Sequence, residues 1–232
     1  MKRIVLLLVI TQAIIAFGQT DSVIISGKVT DFEGHPIPGS LVMIKGANFG
    51  RFVDTTYSNK AGQYSLKVKE GNYSALAAVR MQDYGKTKLE FWANEIPAYQ
   101  NLNINMRYDR LEVYGLNVFQ VKGAYPGYTM YFRPMSLSRI DAKDKDSQII
   151  DIAPPADKID IAVNINGEQV DVNLIQKVEE YAGDQKMYAY LIHTDMGKST
   201  EAKYDKIQVI VEDKENGDKG EAIYFKEKIK YE

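Results

Sequence analysis

The sequence predicts an all-β protein with two consecutive β-sandwich domains. Short runs such as Tyr64–Val68 and Asn101–Met106 alternate apolar and polar residues, as strands with one buried face do. Clusters of Gly, Pro, Asn and Asp separate these runs and are typical of tight turns. No long segment has the 3.6-residue periodicity of an amphipathic helix. Together these patterns are typical of β-sandwich domains.

The N-terminus predicts a signal peptide over residues 1–18. Met1-Lys2-Arg3 is a positive n-region, residues 4–17 are mainly apolar, and Gly18 is a small residue before Gln19. A transmembrane anchor is the alternative, but the apolar run is shorter than the ~20 residues that span a bilayer. We therefore expect an exported protein, periplasmic or extracellular, without a stable transmembrane anchor.

The first predicted domain comprises residues 19–108. Its strands are separated by a turn region with Asp31, Gly34 and Pro36, and by a second turn at 59–62. Further strands are expected near residues 73–81, 86–93 and 101–108.

A specific set of residues in this domain carries a family resemblance. The set is Gly27, Val29, Asp31, Gly34, Pro36, Ile37, Pro38, Gly39, Val42, Ile44, Gly46, Asn59, Gly62, Tyr64, Leu66, Gly71 and Tyr73. With them, about residues 23–107 resemble the carboxypeptidase regulatory-like domain, a transthyretin-like sandwich of exported proteins of Bacteroidetes-type bacteria. One departure is Tyr57, where relatives usually have Thr. The resemblance implies a non-catalytic module for stability, docking or ligand contact.

The second predicted domain comprises residues 109–232 and resembles immunoglobulin-like or fibronectin-III-like sandwiches more loosely. Asn166-Gly167 between alternating runs predicts a hairpin. Pro134 places its strand at an edge or a bulge, and 176–181 could form a helical turn instead of a strand. The expected strands are 128–137, 159–165, 169–174, 175–181, 187–193, 207–212 and 222–229.

Composition excludes several functions. The 232 residues include no cysteine, which excludes disulfides, thiolate metal sites and a lipoprotein anchor. The formal net charge is −2, and it would become −4 without Lys2 and Arg3. With no basic block, the chain lacks the electrostatic signature of nucleic-acid binding.

The catalytic motifs that we considered are absent from the sequence. The two histidines, His35 and His193, are not in a zinc-hydrolase spacing, and no G-x-S-x-G elbow is present. Carboxylates such as Glu179, Glu180 and Asp195 lack any sign of burial or pairing. We therefore expect no enzyme, with a hydrolase using an unrecognised carboxylate site as an alternative.

Aromatic residues predict a ligand-binding surface. Its candidate residues are Tyr125, Tyr128, Tyr131, Trp92 and Arg133, since exposed rings stack on sugars and on apolar partners. The alternative is that Trp92 and the alternate tyrosines fill the core. Tyr99 belongs to a second aromatic group with Trp92. Five arginines near the expected seam could join the domains through carboxylates or flank a site: Arg80, Arg107, Arg110, Arg133 and Arg139.

The loop at 213–218 is a candidate calcium site. Asp213, Asn216 and Asp218 would supply the hard oxygen ligands that calcium prefers. Interleaved lysines favour the alternative of a solvated turn, and no other cofactor is expected.

These inferences combine into one functional hypothesis. We expect an exported, non-catalytic binding or assembly protein of the cell envelope, contacting glycans through aromatic loops. The alternative partner is another envelope protein, bound in a structural or adhesive role.

Overall fold

The computed structural model describes residues 22–47, 50–121, 123, 126–142, 149–198 and 200–228. These residues form sixteen β-strands and one short helix, which confirms the all-β class. The predicted signal peptide lies outside them. No helix in this part of the chain is long and apolar enough to cross a membrane.

The strands and the helix follow one another with short connections. In the first predicted domain they are β1 (Ser22–Thr30), β2 (Leu41–Lys45), β3 (Phe52–Tyr57), β4 (Gln63–Lys69), β5 (Gly71–Val79), β6 (Phe91–Ala98), β7 (Leu102–Asn103) and β8 (Met106–Arg107). In the second they are β9 (Leu111–Phe119), β10 (Tyr128–Ser136), α1 (Leu137–Ala142), β11 (Ile159–Ile165), β12 (Glu168–Val170), β13 (Val172–Ala182), β14 (Gln185–Thr194), β15 (Tyr204–Asp213) and β16 (Lys219–Glu227).

One eight-stranded sheet crosses the predicted domain boundary. Its order is β12-β11-β15-β16-β6-β5-β2-β3, and β16 pairs in parallel with β6 through Ala222–Trp92, Ile223–Ala93 and Tyr224–Asn94. A four-stranded sheet, β13-β14-β10-β9, packs in the second half, and β4, β1, β7 and β8 form another sheet in the first. The two predicted domains therefore share a sheet.

Two hydrophobic cores lie on either side of this junction. Most side chains of the first core come from residues 23–108, and those of the second from residues 111–222. Strand β16 contributes Ile223 and Phe225 to the first core and Ala222 to the second. Along the chain, the first core thus gives way to the second between residues 108 and 111, but β16 belongs to both.

Local turn chemistry accounts for several elements. Asn166 and Gly167 have φ values of 54° and 89°, the left-handed conformation that joins β11 to β12 in the predicted hairpin. Pro134 pairs with Val113 of β9, while the pairing of β10 with β14 ends at Phe132, so one side of Pro134 is an edge. Residues 176–181 belong to β13 and are not a helical turn.

Candidate functional site

Tyr128, predicted as a stacking ring, is buried, which corrects that assignment. It is 1% exposed and belongs to the second core, and its hydroxyl donates to Asp205 Oδ2 at 2.6 Å. The cause is the alternation of β10, which turns every second side chain from Tyr128 onward inward. Tyr125, its predicted partner, lies outside the described residues.

Tyr131 and Arg133 lie on the opposite face of β10 from Tyr128. The Tyr131 hydroxyl and Arg133 Nε both donate to the carboxylate of Glu180 on β13. The Arg133 guanidinium also lies 5.5 Å from the centre of the Tyr114 ring. The polar groups of both predicted residues are therefore engaged within the protein.

Trp92 lies on the outer face of the eight-stranded sheet. It packs with Ala75, Ala77 and Met43 and is only 9% exposed. Tyr114 meets it edge to face, with ring centres 6.2 Å apart. Trp92 and Arg133 thus both contact Tyr114. The structure does not leave the indole free to stack on a ligand, which corrects the prediction for Trp92.

Two carboxyl groups lie beside this tryptophan. Trp92 Nε1 donates to Glu112 Oε1 at 2.9 Å and to Glu90 Oε1 at 3.1 Å. Burial raises the pKa of Glu112 well above its ordinary value, and the neighbouring Glu90 raises it further. Burial also raises the pKa of Glu90. Because Glu112 is 1% exposed, a substrate does not reach its carboxyl group as a hydrolytic pair would require.

The predicted calcium loop is an arginine–carboxylate network, which corrects the metal prediction. Arg139 Nε and Nη2 donate to the Asp213 carboxylate at 2.6 and 3.1 Å, and Arg110 Nε donates to Asp218 Oδ1 at 3.0 Å. Asn216 Nδ2 donates to Asp213 Oδ2 at 2.9 Å. The carboxylates of Asp213 and Asp218 are therefore already paired with guanidinium groups, and the Arg139 pair is bidentate.

A different group in the described part of the chain has metal-ligating atoms close together. The ligand atoms of Asp31, Glu33 and His35 lie within 4.8 Å of one another. Asp31 Oδ1 already accepts from the His35 amide at 2.8 Å, and Glu33 and His35 are exposed. This geometry fits an ordinary turn closed by an aspartate side chain.

A cleft at the junction of the two halves is the candidate binding site. Its volume is about 610 Å³, within the range typical of small-ligand sites. It opens between the β6–β7 turn, the β11–β12 turn and the neighbouring strands β15 and β16. Its lining includes three rings and two amides: Tyr99, Tyr204, Phe225, Gln100 and Asn166.

Lys203 makes cation–π contacts with two of these rings, Tyr99 and Tyr204. Lys203 Nζ lies 6.0 Å from the centre of the Tyr99 ring and 5.3 Å from that of Tyr204. Lys203 also pairs with Glu227 at 3.0 Å. These contacts orient the rings, and Tyr99 remains 50% exposed, so one aromatic surface stays available.

A second cavity of about 430 Å³ adjoins the first through Lys206, which lines both. Its other lining residues include Lys28, Arg107 and Glu221. Arg107 Nε donates to Glu221 Oε2 at 2.9 Å, and Glu221 is 2% exposed. Burial lowers the pKa of Lys206, against the opposing influence of Glu221. Lys206 is thus shared by the two linings, with three aromatic rings in the larger cavity and Lys28 and Arg107 in the smaller one.

Sequence reasoning identified only part of this site. It singled out Tyr99 as an aromatic residue and Arg107 as a residue of the seam. It missed Lys206, Tyr204 and Phe225. In sequence, an outward-facing lysine in an alternating strand resembles any solvated lysine. The signal lies in the pairing of β16 with β6, which local patterns do not encode.

Of the comparisons with known proteins, only the one with solved structures found similar proteins. No protein-family profile matches this chain, and no curated protein matches it significantly. The major pilin subunit BcpA of Bacillus cereus is 11% identical with a TM-score of 0.30, over 89% of this chain and 69% of that one. The major pilin SpaD of Corynebacterium diphtheriae is 11% identical with a TM-score of 0.27, over 92% and 66%.

The shaft pilin SpaA of Lactobacillus rhamnosus GG is 8% identical with a TM-score of 0.27, over 92% of this chain and all of that one (100%). TM-scores this low carry no argument about the topology or function of this chain.

Proposed function

We propose that this protein is an exported, non-catalytic binding protein of the cell envelope, and that its cleft binds a glycan. The single observation that carries the proposal is the cleft of about 610 Å³ between the two halves, lined by Tyr99, Tyr204 and Phe225. Export rests on the predicted signal peptide. The carboxypeptidase regulatory-like identity of residues 19–108 is likewise a proposal, supported by the motif from Gly27 to Tyr73.

The chemistry of the cleft suits a sugar. Apolar ring faces stack on the C–H face of a pyranose, and the Gln100 amide orients its hydroxyl groups. Strands β15 and β16 fix Tyr204 and Phe225, so the site is largely formed before a ligand binds. A binding role therefore needs no large rearrangement.

Calorimetric titration with a panel of neutral and acidic oligosaccharides tests this function. We expect saturable binding, weakened by about 1–3 kcal/mol in Tyr99→Ala because a stacking surface is lost. Tyr57→Ala is the matched control, since Tyr57 is also exposed (65%) but lies on β3, outside the cleft lining. Absence of binding across the panel, or equal losses in both variants, would contradict the proposal.

A second candidate is an assembly role through the edge strand β3. This strand ends the eight-stranded sheet, and its Val53 is 58% exposed. An exposed apolar edge can accept a strand from another protein. A photo-crosslinker at residue 53 in living cells should give one adduct of defined mass, and the same group at exposed Ile24 should not. Equal labelling from both positions would exclude this role.

A further inference from the structure

The meeting of the two cavities at Lys206 indicates which glycans the cleft selects. We propose that the cleft binds acidic sugars, meaning pyranose rings that carry a carboxylate or a sulfate, and that Lys206 binds the anionic group. This inference rests on the proposed glycan-binding function. It adds a ligand class and a specificity-determining residue.

The described residues that line the two cavities include more cations than carboxylates. Lys28, Arg107, Lys203 and Lys206 line the two cavities, and Glu221 is the acidic residue that lines them. Over the whole chain the formal charge is −2, so this concentration of cations is local. Such an excess of one sign of charge among these described lining residues raises the local concentration of ligands of the opposite sign.

Among the described lining residues, the one carboxylate, that of Glu221, already has partners within the protein. Glu221 Oε1 accepts from the Arg107 amide at 2.9 Å. Its Oε2 accepts from Arg107 Nε and from Gln208 Nε2, both at 2.9 Å. Arg107 therefore neutralises Glu221, and the arginine and the glutamate form a closed pair.

Lys206 is left without such a partner. Across the residues that the structure describes, no hydrogen bond or ion pair reaches its Nζ atom, although the side chain is half-buried. Lys28, an exposed lysine that also lines the smaller cavity, is likewise unpaired within the described residues. A partly desolvated cation without a counter-charge is unfavourable, and an anionic ligand group would compensate it.

Lys206 lines the same cavity as the rings of Tyr99 and Tyr204. It lines both cavities, so a pyranose ring in the larger cavity, beside Tyr99 and Tyr204, would have Lys206 at its edge. Lys203, by contrast, is paired with Glu227 and faces the aromatic rings. Lys206 is therefore the better-placed cation for an exocyclic carboxylate or sulfate.

The test compares acidic and neutral ligands, with one pair matched in its sugar backbone. The full protein is titrated calorimetrically with trigalacturonate, with its fully methyl-esterified form, and with a κ-carrageenan tetrasaccharide, which carries sulfate and no carboxylate. A neutral cello-oligosaccharide completes the set. The variants are Lys206→Met, which keeps the length of the side chain, and Lys67→Met as a control on β4, where the lysine is exposed and outside the cleft lining.

We expect an acidic ligand to bind about 10- to 100-fold more tightly than the neutral ligands, as one charge-assisted hydrogen bond provides. Lys206→Met should abolish that preference without lowering the melting temperature, and Lys67→Met should keep it. Whichever of trigalacturonate and carrageenan binds identifies the anionic group. Equal affinity for acid and ester, binding of neutral sugars alone, or a preference unchanged in Lys206→Met would overturn the inference while leaving glycan binding intact. Absence of binding to any sugar would overturn glycan binding itself.

Discussion

Among single residues, Glu112 couples stability to pH. Its carboxyl group is 1% exposed and accepts from Trp92 Nε1, and burial raises its pKa well above the ordinary value of 4.5. Between 4.5 and the raised pKa, the folded state holds a proton that the unfolded state has lost. The stability that this proton contributes is present below pH 4.5 and is lost as the pH rises through the folded-state pKa.

Replacing Glu112 with glutamine should remove this part of the pH dependence. The amide keeps an oxygen for Trp92 and carries no charge to desolvate. We therefore expect Glu112→Gln to melt at a higher temperature than the wild type at about pH 8, with the difference shrinking toward about pH 4.

Thermal unfolding followed by circular dichroism at a series of pH values measures the effect. Glu70→Gln, at an exposed glutamate between β4 and β5, is the control and should parallel the wild type. A Glu112→Gln curve that also parallels the wild type at every pH would contradict the account.

At this scale the sequence could predict residue types but not their surroundings. It singled out the arginines near the seam, and Arg107, Arg110 and Arg139 do contact carboxylates. It also placed Tyr128 on a surface where the structure buries it. The phase of the alternation in β10 decides that burial, and the phase depends on which face meets the core.

Among the structural elements, the contact of β16 with β9 depends on a glycine. A Cβ atom at Gly220 would lie 2.0 Å from the carbonyl oxygen of Leu111, far inside van der Waals contact. Because that neighbour is backbone, a rotamer change cannot relieve the clash. The two strands approach this closely where the second core meets the shared sheet.

Gly220→Ala should therefore destabilise the protein. We expect a loss of about 1–3 kcal/mol in the free energy of unfolding, as overpacking typically costs. Gly46→Ala is the control, since the nearest atom to its Cβ would be a Val53 methyl group at 3.3 Å. Denaturant unfolding of both variants measures the difference, and equal stabilities would show that the strands can separate without cost.

Elements with local signals were predictable, and long-range pairings were not. The hairpin at Asn166-Gly167 and the strand Ile159–Ile165 were predicted because turn residues and alternation are adjacent in sequence. The parallel pairing of β16 with β6 joins residues about 130 positions apart, such as Ala222 and Trp92. Nothing local distinguishes β16 from any other buried strand, so the cleft that this pairing creates was not predicted.

On the scale of the whole molecule, β16 ties the two halves into one sheet. It places Ile223 and Phe225 in the first core and Ala222 in the second. The Arg107–Glu221 ion pair, at 2.7 Å, adds a polar link between β8 and the same strand. Losing β16 would therefore open both cores together.

This shared strand predicts cooperative unfolding. Calorimetry should show a single transition whose van't Hoff and calorimetric enthalpies agree. Ile223→Ala should shift that single transition to a lower temperature, because truncating a buried isoleucine lowers the free energy of unfolding by about 2–5 kcal/mol. Ile24→Ala, at an isoleucine that is 42% exposed, should leave it nearly unchanged. Two separate transitions, of which only one moves in Ile223→Ala, would show that the halves are independent.

The central claim is that the cleft between the halves binds acidic glycans. Crystal structures of the protein soaked with trigalacturonate and, separately, with the κ-carrageenan tetrasaccharide test it most directly. We expect at least one of them to show a pyranose ring against Tyr99 and Tyr204, with its carboxylate or sulfate within hydrogen-bond distance of Lys206 Nζ. A cleft that stays empty at saturating concentrations of both ligands, or a sugar bound elsewhere on the surface, would contradict the claim.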